Sequence, residues 1–307
     1  MQVKILGSAA GGAFPQWNCA CANCRAVRAG TFRGKARAQT QVAITQDGCS
    51  WFLLGASPDL RAQIEATPEL HPRNSGRQSP ITGVVLANAD LDHVLGLLLL
   101  REHQPLRVYA TASVQRILRK DNSMFGMLQR IPSQTQWNDI ELGMPFHLRD
   151  AQGENSNLRC QVISLNAHYP PYVTLERRTQ LAMDEASLGF AIESPAGGRF
   201  AYLPAVPQLG DALLQQLNQC DLILFDGTFW SDDELIRVQG GGQTARQMGH
   251  VPVQNTLQEL AGLPRPRKIF LHINNTNPML DEASAEHRRV RDAGWEIAED
   301  GWQFDLS

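Results

Sequence analysis

The sequence predicts a layered α/β fold built around one core. Three observations carry that expectation. Ten short apolar segments read as strands and six longer, mixed segments read as helices. The early strands have few helices between them, and then strands and helices alternate to the end. Hydrophobic residues are 43% and charged residues 19% of the 307, enough apolar material for a sizeable core.

In chain order the strand-like runs are "QVKIL", "TQVAI", "CSWFLL", "GVVL", "LRVYA", "RCQVISL", "LGFAIES", "RFAYLP", "DLILFD" and "KIFLHI". The helix-like runs are "SPDLRAQIEAT", "LDHVLGLLLLREH", "SVQRILRKD", "QLGDALLQQLNQ", "VQNTLQELAGL" and "DEASAEHRRVRDAG". Residues 11–40, 66–82, 121–157 and 166–187 read as irregular. They exceed ordinary connections, so functional loops are expected among them. The segment 230–250 carries a triple glycine that is costly to order, and it reads either as a lid or as a plain exposed loop. No internal repeat, low-complexity tract or Pro/Ser-rich linker divides the chain.

The bulk numbers exclude several partners. Net charge is −3 and the basic residues are scattered, so there is no electrostatic footprint for nucleic acid. The opening "MQVKILGSAAGG" has one lysine and too short an apolar stretch for a signal peptide. The run "VLGLLLL" is far below the roughly 20 residues that a bilayer span needs. The expectation is a soluble, cytoplasmic protein with no membrane partner. Whether it forms a homo-oligomer is left open.

Three motifs carry chemistry. "WNCACANC" places Cys19, Cys21 and Cys24 within six residues, while Cys49, Cys160 and Cys220 are dispersed. Without secretion, disulfides are not expected. Three clustered sulfurs suit three corners of a tetrahedral structural zinc site, and the alternative is a trio of free or redox thiols. A fourth ligand is not named by the spacing.

The second motif is "VVLANADLDHVLGL", where Asn88, Asp90, Asp92 and His93 leave an apolar strand and enter a helix. Alternate side chains share a face in extended chain, so Asn88, Asp90 and Asp92 can face one site. The alternative is that Asp92 only caps the helix and that Asn88 and Asp90 are turn residues. The third set is His168, Asp226 and His272, each following an apolar strand, where ligands bind in α/β sheets. His250 follows a glycine-rich loop and reads as a mobile acid/base or substrate contact. His71, His103, His147 and His287 lie in polar or helix-surface contexts and carry no functional expectation.

In this order Asn88, Asp90, Asp92, His93, His168, Asp226 and His272 resemble the metallo-β-lactamase superfamily, whose signature is His-x-His-x-Asp-His followed by His, Asp and His. Together with "GSAAGGAFPQWNCACANC" and "HINNTNP", the chain is similar over its length to the branch that makes the redox cofactor pyrroloquinoline quinone (PQQ). The resemblance implies a single αββα four-layer sandwich domain over 1–307, with a zinc-binding loop at 11–30. In related phosphodiesterases a His three residues beyond the last active-site His completes the structural zinc, and here that place holds Asn275.

The substitutions at Asn88 and Asp90 remove two imidazoles from the first of two metal positions. An Asn amide is a weak ligand, so that position loses most of its zinc affinity. Asp92, His93, Asp226 and His272 of the second position remain, so one active-site metal is expected instead of two. Two His and a carboxylate with open positions suit non-haem Fe(II), although another divalent metal also fits. The resemblance then implies an iron-dependent hydroxylase that uses O2. Its substrate would be a small molecule from a Glu–Tyr cross-linked peptide, with oxygen added to the tyrosine-derived ring. In that reading Asp92, His93 and His272 hold iron, with Asp226 a further ligand or hydrogen-bond partner. Asn88, Asp90, His168 and His250 contact substrate or shuttle protons. The rivals are a metal-dependent hydrolase and a carrier that binds PQQ for export.

Overall fold

The computed structural model describes residues 1–102, 104–166 and 168–307, so His103 lies outside the described residues. The strands are β1 (Gln2–Gly7), β2 (Gln41–Thr45), β3 (Trp51–Leu54), β4 (Ile81–Val85), β5 (Leu106–Ala110), β6 (Thr135–Asp139) and β7 (Phe146–Arg149). They continue as β8 (Asn155–Ser164), β9 (Leu188–Glu193), β10 (Arg199–Leu203), β11 (Leu222–Asp226), β12 (Arg267–Leu271), β13 (Trp295–Ile297) and β14 (Gln303–Asp305). The helices are α1 (Ala22–Arg28), α2 (Leu60–Glu65), α3 (Leu91–Val94), α4 (Ala112–Arg119), α5 (Leu175–Arg178), α6 (Asp211–Leu217), α7 (Glu234–Gln239), α8 (Val253–Glu259) and α9 (Ala285–Asp292). All ten expected strands form, each within a few residues of its expected bounds.

The chain resolves into two compact units. The first comprises 1–6, 41–198 and 301–307, and the second 7–40 and 199–300. In the first unit seven strands run in the order β14-β1-β2-β3-β4-β5-β6, and β7, β8 and β9 form an antiparallel series. β3, β4, β5 and β6 are parallel neighbours. β3 and β4 are buried along their whole length, as parallel strands covered on both faces should be, and so is β2, which runs antiparallel to β3. Leu53, Val84, Val94, Leu97, Val108, Val114 and Ile117 pack into its core. In the second unit β10, β11, β12 and β13 are parallel. There the Phe270 and Trp295 rings stack with centroids 4.2 Å apart, and Phe225 meets Trp295 edge-on at 6.0 Å. Among the described residues, no helix is long and apolar enough to cross a membrane.

The expected helix over "LDHVLGLLLLREH" is shorter than its apolar pattern suggests. α3 ends at Val94, whose backbone (φ −130°, ψ −21°) leaves the helical region, and Leu95–Leu100 continue as a 3-10 helix. Tertiary contact overrides propensity at Gly96. Its N–H goes to Ala56 O at 2.9 Å instead of to a carbonyl of its own helix, and Ala56 N–H donates to His93 O at 2.7 Å. The turn after β3 is fixed in turn by buried Gln41, whose Nε2 donates to Gly55 O and whose Oε1 accepts from Ser57 N–H. His93 is thereby held by backbone on a strand-end scaffold. Another correction concerns the cap: Asp90, not Asp92, takes the N-cap position, with extended backbone and no side-chain capping bond.

Candidate metal centre

In the first unit β4 delivers the chain into Leu86–Asp90. Leu188 N–H donates to Ala87 O at 2.8 Å, and the Tyr172 hydroxyl donates to Ala89 O. Asn88 is buried, and its Oδ1 accepts from Asp90 N–H at 3.1 Å, which closes a turn. The Asp90 carboxylate faces His168, Oδ2 to Nε2 at 3.5 Å. That bond from Asp90, working against burial, raises the His168 pKa above its ordinary value. His168 sits four residues past the end of β8, not directly at the strand end as expected. His93 is buried and Asp92 half-buried, with His93 Nε2 3.8 Å from Asp92 Oδ2.

In the second unit Asp226 closes β11, and His272 follows β12 in the left-handed region at φ 57°. Such a backbone is uncommon for a residue other than glycine and concentrates at functional sites. His250 enters by the turn before α8, where Val251 N–H bonds Val206 O at 2.6 Å. The His250 and His272 rings stack with centroids 5.6 Å apart. Asp226, His250 and His272 each offer a ligand atom within 4.8 Å of the others, a donor set that fits a divalent metal. Asp226 Oδ2 lies 2.8 Å from His250 Nδ1, and Oδ1 lies 2.6 Å from Thr228 Oγ1. Burial opposes ionisation of Asp226. The neighbouring His250, with its hydrogen bond, then His272 and the Thr228 hydroxyl outweigh it and hold the carboxyl below the usual carboxylate range.

The three clustered cysteines also belong to the second unit. Cys21 caps α1, its Sγ accepting from Cys24 N–H at 3.4 Å. The three sulfurs lie within 4.8 Å of one another, a donor set that fits zinc. Asn275 stands at the fourth corner. Its Nδ2 lies 3.1, 3.6 and 3.3 Å from the sulfurs of Cys19, Cys21 and Cys24. Burial pushes the Cys24 thiol up to about 11.

The segment 230–250 is built around α7 and a short 3-10 helix at Arg246–Met248, and the triple glycine starts with Gly240 as the left-handed cap of α7. It contains a residue that sequence reasoning missed. Glu234 reads as a surface acid in "SDDEL" but is buried, accepting from Trp230 N–H and the Thr276 hydroxyl, each at 2.5 Å. It lies beside an open cleft of about 590 Å³. Burial pushes its pKa up to about 7. The folded state therefore keeps a proton that the unfolded chain releases near the ordinary carboxylate pKa. Stability from this group is complete below pH 4.5, falls as pH rises from there to about 7, and is flat above. Glu234→Gln mimics the protonated form, with its amide donating to Thr276. Urea denaturation at pH 5 and pH 8 should show the wild type losing about 2–3 kcal/mol more than the variant over that interval.

The beta-lactamase superfamily domain model matches residues 50–273. The chain is 42% identical to the coenzyme PQQ synthesis protein B of Pseudomonas putida (strain W619), over the whole of both chains. It is similar to the crystal structure of Zn(2+)-bound PqqB from Methylobacterium extorquens, with TM-score 0.90 and 38% identity over the whole of both chains. A diphosphatase from the PhnP family shares the fold at TM-score 0.67 and 18% identity, covering all of this chain and 98% of that one. The expected α/β sandwich is the fold of this chain.

Proposed function

This chain belongs to the coenzyme PQQ synthesis protein B family of the beta-lactamase superfamily, and on that premise we propose that it is an enzyme of PQQ biosynthesis. Its reaction is hydroxylation of the tyrosine-derived ring in a Glu–Tyr cross-linked intermediate, in which one atom of O2 enters the ring and the other is reduced to water by two electrons and two protons from a reductant. Asp92, His93 and His272 hold one divalent metal, with Asp226 a further ligand or hydrogen-bond partner. Cys19, Cys21 and Cys24 hold a structural zinc. Fe(II) at the active site would supply activation of O2.

The observation that supports one metal over two is the pairing at the first position. Asn88 Oδ1 is engaged by Asp90 N–H, and the Asp90 carboxylate faces His168 Nε2 at 3.5 Å. No imidazole stands at 88 or 90, and the remaining one is matched by a carboxylate of its own unit. A two-metal hydrolase needs both ions to generate and aim hydroxide, so its mechanism has lost half its apparatus. Asn88, Asp90 and His168 are left to bind the substrate's phenol and carboxylates. His250 accepts or returns a proton.

The test is metal-dependent oxygen use. Protein stripped with chelator is reloaded anaerobically with Fe(II) or Zn(II) and given a Glu–Tyr mimic bearing a DOPA ring. Oxygen uptake with iron alone, and labelled oxygen in the product, is expected. Turnover of the zinc form without O2 would establish the hydrolase instead, and tight PQQ binding with no turnover under any metal would establish the carrier.

A further inference from the structure

We propose that Asp226 and Thr228 form a positioning device that fixes the tautomers of His250 and His272, and that Asp226 is committed to this task instead of to a metal. This deepens the metal-centre reading above and rests on it for the role of His272.

The Asp226 carboxylate is fully buried and meets four donors. Oδ1 accepts from Thr228 N–H at 3.0 Å and from the Thr228 hydroxyl at 2.6 Å. Oδ2 accepts from Val206 N–H at 2.8 Å and from His250 Nδ1 at 2.8 Å. An ionised carboxylate offers about four lone-pair positions, so the protein alone fills them. A metal at Asp226 would have to displace one of these bonds in a buried position, where an orphaned donor is costly.

The proton positions follow from the partners. A carboxylate only accepts, so His250 Nδ1 carries its proton toward Asp226. Thr228 has one hydroxyl proton, and its shortest contact directs that proton to Asp226 Oδ1. Its oxygen then accepts from His272 Nδ1, 2.9 Å away. It also lies 3.1 Å from His250 Nδ1 and 2.9 Å from His272 O. Both imidazoles therefore carry a proton at Nδ1, and Nε2 is the nitrogen whose lone pair each presents when neutral. His272 offers Nε2 as a ligand, and His250 offers Nε2 as a ligand or proton acceptor. A residue that fixes the second ring nitrogen in this way sets both ring orientation and basicity.

The proposal separates sharply from a ligand role at Asp226→Asn. The new amide keeps its oxygen toward Thr228 and turns its NH2 toward His250, and Val206 N–H loses its acceptor. His250 must then accept at Nδ1 and protonate Nε2. Protein with 15N-labelled histidine is compared by NMR in wild-type, Asp226→Asn, Thr228→Val and Thr228→Ser forms. Zinc binding is titrated on the same samples, counted above the Cys19–Cys21–Cys24 zinc. Wild type should show Nδ1–H signatures for both histidines. Asp226→Asn should swap the His250 signature and weaken zinc about 10- to 100-fold while keeping its stoichiometry. Thr228→Val should lose the fixed His272 signature, and Thr228→Ser should restore it. A wild-type Nε2–H signature at either histidine overturns the proposal. So does loss of zinc stoichiometry in Asp226→Asn with His250 unchanged. If Thr228→Val does not fold, Thr228→Ser and Asp226→Asn still decide. None of these readouts needs O2, so failure of the oxygenase reading leaves them intact.

Discussion

Replacing His272 with Ala should leave the active site without metal and without turnover. Partners that merely orient a ligand cost 10- to 100-fold in metal affinity, so removing an imidazole ligand itself should cost at least about 100-fold. Metal analysis after gel filtration should find the zinc of the cysteine cluster retained and the active-site metal gone. The substitution removes a buried ring at a left-handed backbone position, so folding is checked by thermal denaturation in parallel. Metal retained at wild-type stoichiometry would take His272 out of the ligand set.

Gly96→Ala should destabilise the first unit by at least about 4 kcal/mol, among the larger single-substitution effects. A Cβ at that position would stand 2.8 Å from Ala56 C, 2.9 Å from Ala56 O and closer still to the Ser57 carbonyl oxygen. All three obstacles are backbone, so no side chain can swing aside. Relief requires moving the Ala56–Ser57 turn, which breaks the bonds from Gly96 N–H and Ala56 N–H that fix His93. Urea denaturation gives the stability loss. Metal affinity of the surviving folded fraction should fall with it, and a variant as stable as wild type would refute the close approach.

Much of the fold was legible because buried strands announce themselves. β11 is apolar from Leu222 to Phe225 and β4 runs apolar from Gly83 to its end, so the polar, metal-capable residues that follow stand out. The strands that escaped notice are polar or very short: "TQWND" of β6 and "FHLR" of β7 are partly exposed, and "WEI" of β13 and "QFD" of β14 are too short to establish a period. α1 was hidden inside the cysteine motif, since a run chosen for its sulfurs also supplies its own cap through Cys21. The 3-10 stretch after α3 followed a helical apolar pattern, and only the Ala56 carbonyl explains its departure. Thr228 and Glu234 could not be seen in advance. A threonine two residues past a strand and an acid among acids have ordinary surface readings, and their importance comes entirely from the bonds around them.

The contact between Asp90 and His168 bears on how such a site changes over time. A carboxylate beside an imidazole whose proton it helps retain gives this corner a matched acceptor and donor of its own. Going back is therefore harder than going forward. Restoring histidines at 88 and 90 would strip His168 of its acceptor and leave Asp90 N–H without the Asn88 oxygen that now receives it. The two reversions would have to arrive together, with an ion at hand, before either brought any advantage. One aspartate and one asparagine thereby act as a ratchet against a histidine pair at these positions.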